Sequence, residues 1–169
     1  ISHQFSSRIG GGLGYKIPTS FTEETESVQY QNLQALNNVE AERSVGGTAD
    51  INFKTNITGD LAFCINQLFF FTQINKPLIL QSDIFGNLSF VNAAKPVISS
   101  GFETNLKLIF REDMKLFVGY TFTDANAKYR AGNQFLSLVP KNKLNLTLMY
   151  EKEDNFKLWL EGYLTGNQF

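Results

Sequence analysis

Apolar and polar residues alternate along most of this chain, and this two-residue period constrains its fold more than any other feature. In RSVGGTADINFKTNI, residues 43–57, the odd positions Val45, Ala49, Ile51 and Phe53 are apolar, whereas the even positions are polar or small. Side chains of a β-strand alternate between two faces, so this pattern predicts a strand with one apolar and one polar face. Six further stretches show the same period, namely residues 4–17, 60–75, 101–110, 115–123, 143–151 and 156–165. The chain is therefore predicted to be all-β with about seven long strands.

The connections between the predicted strands are of two kinds that alternate along the chain. Tight polar turns are predicted at 58–60, 111–113 and 153–155, where Gly, Asp and Asn are common. Long connections are predicted at 18–42, 76–88 and 125–140. The predicted fold is an antiparallel up-and-down meander with every short turn at one end and every long loop at the other. Outer-membrane β-barrels have this asymmetry.

The apolar face must be covered, because burial of each large apolar side chain is worth ~1.5–3 kcal/mol. A second sheet could cover it, which would make the chain a soluble secreted β-sandwich that binds glycan or protein through its long loops. Lipid could also cover it, which would make the sheet a segment of a transmembrane β-barrel. Strand length favours lipid, since sandwich strands usually have about five or six residues and membrane strands about 9–11.

The aromatic residues also favour lipid, because they are predicted to form two girdles around an aliphatic band. The girdle near the long loops would contain Tyr15, Phe71, Phe122 and Tyr163. The girdle near the short turns would contain Phe53, Phe63, Phe110, Tyr150 and Phe156.

Composition excludes several classes of protein. With 15 basic and 16 acidic residues that are scattered along the chain, nucleic acid is not an expected partner. A single cysteine, Cys64, cannot form an internal disulfide, and no apolar run approaches the ~20 residues of a membrane helix. The chain begins with Ile and has no leader, so residues 1–169 are expected to be a single fragment of a barrel domain. Its first and last strands would leave two open edges, through which copies could self-associate.

Several segments together resemble TonB-dependent outer-membrane receptors. They are GYKIPTSFTEETE, VEAERSVGGTADINFKT, INQLFFFTQINKPLIL, VNAAKPVISSGFETNLKL, LFVGYTFTDA and LVPKNKLNLTLMYEKEDNFKLWLEGYLTGNQF. Their order is similar to that of strands and loops in the C-terminal part of such a barrel. The resemblance implies a barrel of about 22 strands, with a plug domain that is absent from this chain. It also implies a place in the bacterial outer membrane.

The same resemblance implies the partners and the activity. The wall would contact the lipid bilayer, and a missing N-terminal segment would engage TonB, which supplies energy from the proton gradient. An extracellular small molecule or glycan would be the ligand, and the parent protein would take up a scarce nutrient of the glycan, siderophore or peptide class.

No catalytic or metal site, cofactor or enzymatic activity is expected. His3 is the only histidine, so neither a His-based relay nor a multi-histidine metal site can form. The acidic residues Glu23, Glu24 and Glu26 are interpreted as a solvated loop. Four residues are candidates for ligand binding: Lys128, Tyr129 and Arg130 in the third long loop, and Phe70.

Phe70 is a candidate because the alternation is irregular around it. Gln67 falls on the apolar parity of its strand, whereas Leu68 and Phe70 fall on the polar parity. Two explanations remain open, a β-bulge near Gln67 that exchanges the faces, or a Phe70 side chain that points toward the barrel interior. The bulge is the favoured prediction.

Overall fold

Seven long strands form one antiparallel sheet in the computed structural model, which describes residues 4–111, 113–136, 139–152 and 155–167. The elements are β1 (Phe5–Lys16), α1 (Glu23–Ser27), β2 (Glu42–Thr58), β3 (Leu61–Asn75), β4 (Leu78–Ser82), β5 (Leu88–Asn92), β6 (Val97–Phe110), β7 (Met114–Ala127), β8 (Asn142–Lys152) and β9 (Phe156–Thr165). Within the described residues, no helix is both long and apolar enough to cross a membrane.

The sheet has the strand order β1-β2-β3-β6-β7-β8-β9, and every neighbouring pair is antiparallel. The predicted meander is therefore confirmed. The long strands have 10–17 residues, as a strand that crosses a bilayer at a tilt requires. The fold is that of a segment of a transmembrane β-barrel.

The strand register places all the predicted apolar positions on one face. For example, Phe53 of β2 pairs with Ile65 of β3, which pairs with Leu106 of β6 and then Val118 of β7. Many of these side chains are open to the surroundings, with exposed fractions of 90% for Ile9, 87% for Leu13 and 68% for Leu160. Among the described strands, the one other sheet is the short hairpin β4–β5. The apolar face is thus without the second layer that a β-sandwich needs.

Rings on the apolar face gather toward the two ends of the strands. Phe53 lies with its ring centroid 4.6 Å from that of Phe5 and 6.4 Å from that of Phe63, near the short turns. Nearer the loops, the centroid of Phe102 lies 5.7 Å from that of Phe122 and 6.4 Å from that of Phe69. Such bands are typical of the two interfaces of a bilayer.

The girdle prediction is wrong for Tyr163. This residue pairs with Asn145, a position on the polar face, and its hydroxyl donates to Glu161 Oε2 over 2.7 Å. The error arises because the prediction considered the distance of Tyr163 from the loops but not its parity in β9.

The second long connection contains structure that the sequence analysis did not predict. Residues 76–88 were expected to form one loop, but β4 and β5 pair there as a hairpin, and the connection extends to Pro96 before β6 begins. The first long connection contains α1, whose Thr22 accepts a hydrogen bond from Thr25 N, while Thr25 Oγ1 accepts one from Thr22 N.

Most of the buried residues described lie at the loop end of the sheet rather than along the wall. They are Thr25, Pro77, Phe90, Ala93, Ala125, Ala127 and Pro140, whereas the buried Asp50 lies in the middle of β2. The loops therefore pack into a compact layer over one end of the strands, while the wall is a single layer.

Candidate functional site

The candidate site is the polar face of the wall, together with the loop layer above it. Asn52, Asn66, Asn105 and Asn145 lie in one row that crosses β2, β3, β6 and β8, with Gly119 of β7 between the last two. Side-chain amides both donate and accept hydrogen bonds. The row can therefore bind water, hydroxyl-rich ligands or peptide groups without favouring one sign of charge.

Gly119 leaves a depression of about 330 Å³ in this row. Asn66, Asn105 and Asn145 line it, and Lys107 lies at its edge with Nζ 5.2 Å from the centroid of the Phe117 ring. The depression thus combines amides, one cation and one ring, which suits a polar ligand or a polypeptide segment rather than a catalytic step.

Ion pairs cross the polar face between neighbouring strands. Arg8 Nε of β1 donates to Asp50 Oδ2 of β2 over 2.9 Å, and the Asp50 side chain is only 10% exposed. Near the short turns, Glu151 is paired with Lys115 and with Lys157. These pairs keep buried or half-buried charges matched on the face that would line the interior.

The structure answers the question of Phe70, and the predicted bulge near Gln67 is wrong. β3 keeps an unbroken register with β2 and β6 through Gln67, and the register shift in β2 occurs between Asn56 and Thr58 instead. Gln67 is therefore on the apolar face, where its Oε1 accepts a hydrogen bond from Thr104 Oγ1 over 2.6 Å. This pairing satisfies the amide oxygen and removes the need for a bulge.

Phe70 consequently lies on the polar face, half-buried, with Thr48 and Gly101 as its cross-strand neighbours. Gly101 makes room for it: a Cβ atom at that position would lie 2.7 Å from Phe70 Cζ and would collide with the carbonyl oxygen of Phe122. A ring is thereby fixed on a face made largely of amides, hydroxyls and charges.

The other three candidates, Lys128, Tyr129 and Arg130, lie just after β7. The Arg130 guanidinium lies 6.0 Å from the centroid of the Tyr129 ring, and its Nη1 donates to the carbonyl oxygen of Phe135 over 3.0 Å. The backbone N–H of Lys128 donates to the carbonyl oxygen of Pro96 over 3.0 Å. These three consecutive residues are therefore anchored at both ends, to Pro96 and to Phe135.

Phe70 is not part of that group. Phe135 forms an isolated bridge with Asn126, whose position in β7 belongs to the apolar face, whereas Phe70 is on the polar face. The four candidates therefore fall into two places on the molecule.

A hydrogen-bonded clasp joins the first loop to the hairpin, and sequence reasoning missed it. Lys76 Nζ donates to both carboxylate oxygens of Glu40 over 2.6 Å. Asn92 receives a hydrogen bond from Glu40 N over 2.7 Å and donates from Nδ2 to the carbonyl oxygens of Glu40 and Lys76. These residues are far apart in sequence, so no local pattern could have indicated the clasp.

The hairpin turn did carry a readable signal. Asp83 Oδ1 accepts hydrogen bonds from the backbone N–H of Phe85 and of Asn87, and Gly86 has a φ of 83°. The hydrogen bond from the Asn87 amide lowers the pKa of the Asp83 carboxyl. An Asp and a Gly-Asn pair between two short alternating runs is typical of a hairpin.

Among the described residues, no three His, Cys, Asp or Glu side chains lie close enough together to hold a metal ion. His3 and the side chains of Glu23 and Glu24 lie outside the described part of the chain.

The clasp should respond to pH. The hydrogen bond and the charge of Lys76 lower the pKa of Glu40 from its ordinary value of 4.5. A carboxyl with a lowered pKa stabilises the closed form above its ordinary pKa, and this stabilisation is lost as the pH falls through the lowered value. We expect the segment around Glu40 to loosen from the hairpin below pH 4.5, while the backbone hydrogen bonds between residues 32–34 and Leu88 hold the rest of the first loop in place.

Spin labels at Asn37 and Gln81, with Cys64 replaced by Ser, would measure that loosening by electron paramagnetic resonance. Glu40→Gln is the matched control, since it keeps the side-chain shape and removes the titrating group. An acid transition that persists in Glu40→Gln would show that another group controls the loop.

Comparison with known proteins gives a fold but no family. No protein-family model matches the chain, and no curated protein matches it. Among solved structures, it is similar to the FrpB iron transporter from Neisseria meningitidis (F3-3 variant), with a TM-score of 0.70 and 15% sequence identity. The match covers 96% of this chain and 24% of the transporter chain. The similarity therefore supports an outer-membrane type of barrel wall that spans about a quarter of the transporter's length.

Proposed function

We propose that this chain forms part of the wall of a bacterial outer-membrane receptor that actively imports a nutrient. The observation that carries the proposal is the two-faced single sheet. One face is apolar and uncovered, while the other carries the asparagine row, the Arg8–Asp50 ion pair and Phe70. In a barrel wall, the apolar face would contact the lipid of the bilayer and the polar face would contact the water of the interior.

The loop layer supports a role in ligand recognition in addition to a structural role as a wall. Loops that are tied to one another by the Glu40–Lys76–Asn92 clasp can present a defined surface above the barrel opening. The similar structure is named as an iron transporter, which supports import in preference to catalysis.

The ligand is proposed to be a small molecule or glycan, with glycans, siderophores and peptides as the candidate classes. Phe70 is the wall residue proposed to meet it, since a ring on a polar interior face can stack on a sugar or a chelate. Uptake is proposed to draw energy from the proton gradient through TonB, which would be engaged by an N-terminal segment outside this chain.

The test is nutrient uptake by the host bacterium with the gene deleted. We expect deletion to abolish the saturable, high-affinity uptake of at least one labelled ligand of these classes, and a plasmid copy to restore it. An uncoupler of the proton gradient should reduce uptake in the restored strain to the level of the deletion strain.

Phe70→Ala, placed on the plasmid copy, should weaken ligand uptake with little change in the amount of protein in the membrane. Unimpaired uptake of every candidate ligand after deletion would refute the import role. Recovery of the protein as a monomer in buffer without detergent would refute the membrane wall itself and would favour a β-sandwich.

A further inference from the structure

Two cationic side chains, Arg130 and Lys141, contact Phe135 at the loop end of the wall, and a third cation is close to them in sequence. Arg130 donates to the carbonyl oxygen of Phe135 over 3.0 Å, and Lys141 Nζ lies 5.2 Å from the centroid of the Phe135 ring. Lys128 is two residues before Arg130, in the same short loop segment. We call Lys128, Arg130 and Lys141 the rim cations.

Ring contacts place the Lys141 ammonium on the side of the apolar face. Phe122 of β7 is in the aromatic band of that face, and Lys141 Nζ lies 5.8 Å from the centroid of its ring. Phe135 bridges Asn126, which has the same parity as Phe122 in β7, so both rings are on the same side of the wall. The Lys141 ammonium therefore lies over two outward rings, just beyond the loop-side aromatic band.

The rim cations carry three positive charges at the loop end of the wall. Within the described part of the chain, none of the rim cations takes part in an ion pair. Asp124 has the same parity in β7 as Phe122. Lys95 is a further cation and directly precedes Pro96, whose carbonyl oxygen accepts a hydrogen bond from the Lys128 backbone. Residues 93–96 and 122–141 together contain these four cations and one carboxylate, so this part of the loop end carries a net positive charge.

We propose that the rim cations bind the anionic phosphate groups of lipids in the membrane leaflet on the loop side. This inference rests on the proposed membrane placement of the wall. With the apolar face in the hydrocarbon, the aromatic band lies at the interface and the cations just beyond it lie at the level of the phosphates. A lysine whose stem packs on aromatic rings keeps its ammonium in the polar layer, and an arginine guanidinium suits phosphate geometry.

The arrangement is also organised before any lipid binds. The Arg130 guanidinium is held by the Phe135 carbonyl, and Lys141 is held over two rings, so both side chains lose little freedom on binding. Free cations on mobile stems would be a weaker basis for a lipid site.

The experiment uses the intact protein in detergent and in vesicles. Native mass spectrometry would count bound lipid when phosphatidic acid and phosphatidylcholine compete at equal concentration. We expect the wild-type protein to prefer phosphatidic acid, and the variant Lys128→Gln/Arg130→Gln/Lys141→Gln to lose most of that preference. At about fivefold for each charge near an anionic surface, the combined loss is expected to be on the order of 100-fold.

The matched control removes three cations from the polar face, Lys54→Gln/Lys107→Gln/Lys143→Gln. It changes the net charge equally but should retain the lipid preference, because these positions face the interior. An equal loss in both variants would overturn the proposal, as would an unchanged preference in the rim variant.

Two further measurements separate the other outcomes. Inorganic phosphate at millimolar concentration should not displace phosphatidic acid, and its displacement of the lipid would indicate a site for free anions instead. Flotation with vesicles of phosphatidylcholine alone tests membrane placement independently of the cations. Failure to float would remove the proposed function and this inference together, whereas flotation without lipid preference would remove this inference alone.

Discussion

Leu106→Arg is expected to lower the free energy of unfolding of the membrane-inserted protein by about 2–4 kcal/mol, the cost of arginine near the middle of a barrel's lipid face. Leu106 is in the middle of β6, between Ile65 and Val118 on the apolar face. Its side chain would have to carry a charge into hydrocarbon. Urea titration of the protein refolded into vesicles would measure the change.

Asn105→Arg is the matched control, because it puts the same charge one residue away on the opposite face. Asn105 is exposed beside the depression at Gly119, and its amide donates to Glu103 Oε1 over 2.5 Å. An arginine there has room and a nearby carboxylate, so the change should stay below about 1 kcal/mol. Equal losses in the two variants would contradict the assignment of one face to lipid and the other to water.

The second large effect is expected at Gly101. A Cβ atom there would collide with the carbonyl oxygen of Phe122, a backbone atom that cannot rotate away, and would lie 2.7 Å from Phe70 Cζ. Gly101→Val should therefore destabilise the protein by about 3 kcal/mol, at the upper end of the range for overpacking. The same urea titration would measure it.

Two variants show whether the cause is the backbone contact. Gly101→Val combined with Phe70→Ala should recover only the part of the loss that comes from the ring, so most of the destabilisation should remain. Gly162→Ala in β9 is the control, since no atom lies within 4 Å of its added Cβ, and it should be neutral or stabilise by up to about 1 kcal/mol. A full recovery in the double variant would show that the β6–β7 pairing tolerates a side chain there.

The wall could be predicted from the sequence because each strand carries its own evidence. The parity of Val45, Ile51 and Phe53 fixes a face of β2 without reference to any other strand, and a meander then needs only turns in the right places. The alternating faces agree with the observed registers in the seven long strands, except for the bulge predicted near Gln67 and the girdle position of Tyr163.

Apart from Tyr163, whose parity in β9 was overlooked, the differences between prediction and structure originate in partners that are distant in sequence. The bulge near Gln67 is predicted because Gln67 falls on the apolar parity while Leu68 and Phe70 fall on the polar parity, and the partner of Gln67, Thr104, is 37 residues away. The clasp of Glu40, Lys76 and Asn92 likewise depends on contacts across as many as 52 residues. Local patterns contain no information about such pairs. The roles of Lys128, Tyr129, Arg130 and Phe70 in ligand binding stay predictions.

The clasp also limits which residues of the two loops can change independently during evolution. Lys76 and Asn92 at the feet of the hairpin each bond to Glu40 of the neighbouring loop, whereas Ile84 and Phe85 at its tip are 93% and 82% exposed. Substitutions at the tip disturb no neighbour, but a substitution at the feet leaves polar groups of the other loop unmatched. Related sequences are therefore expected to vary freely at positions 84 and 85 and to exchange residues 40, 76 and 92 only in concert, so that the two loops are inherited as one unit.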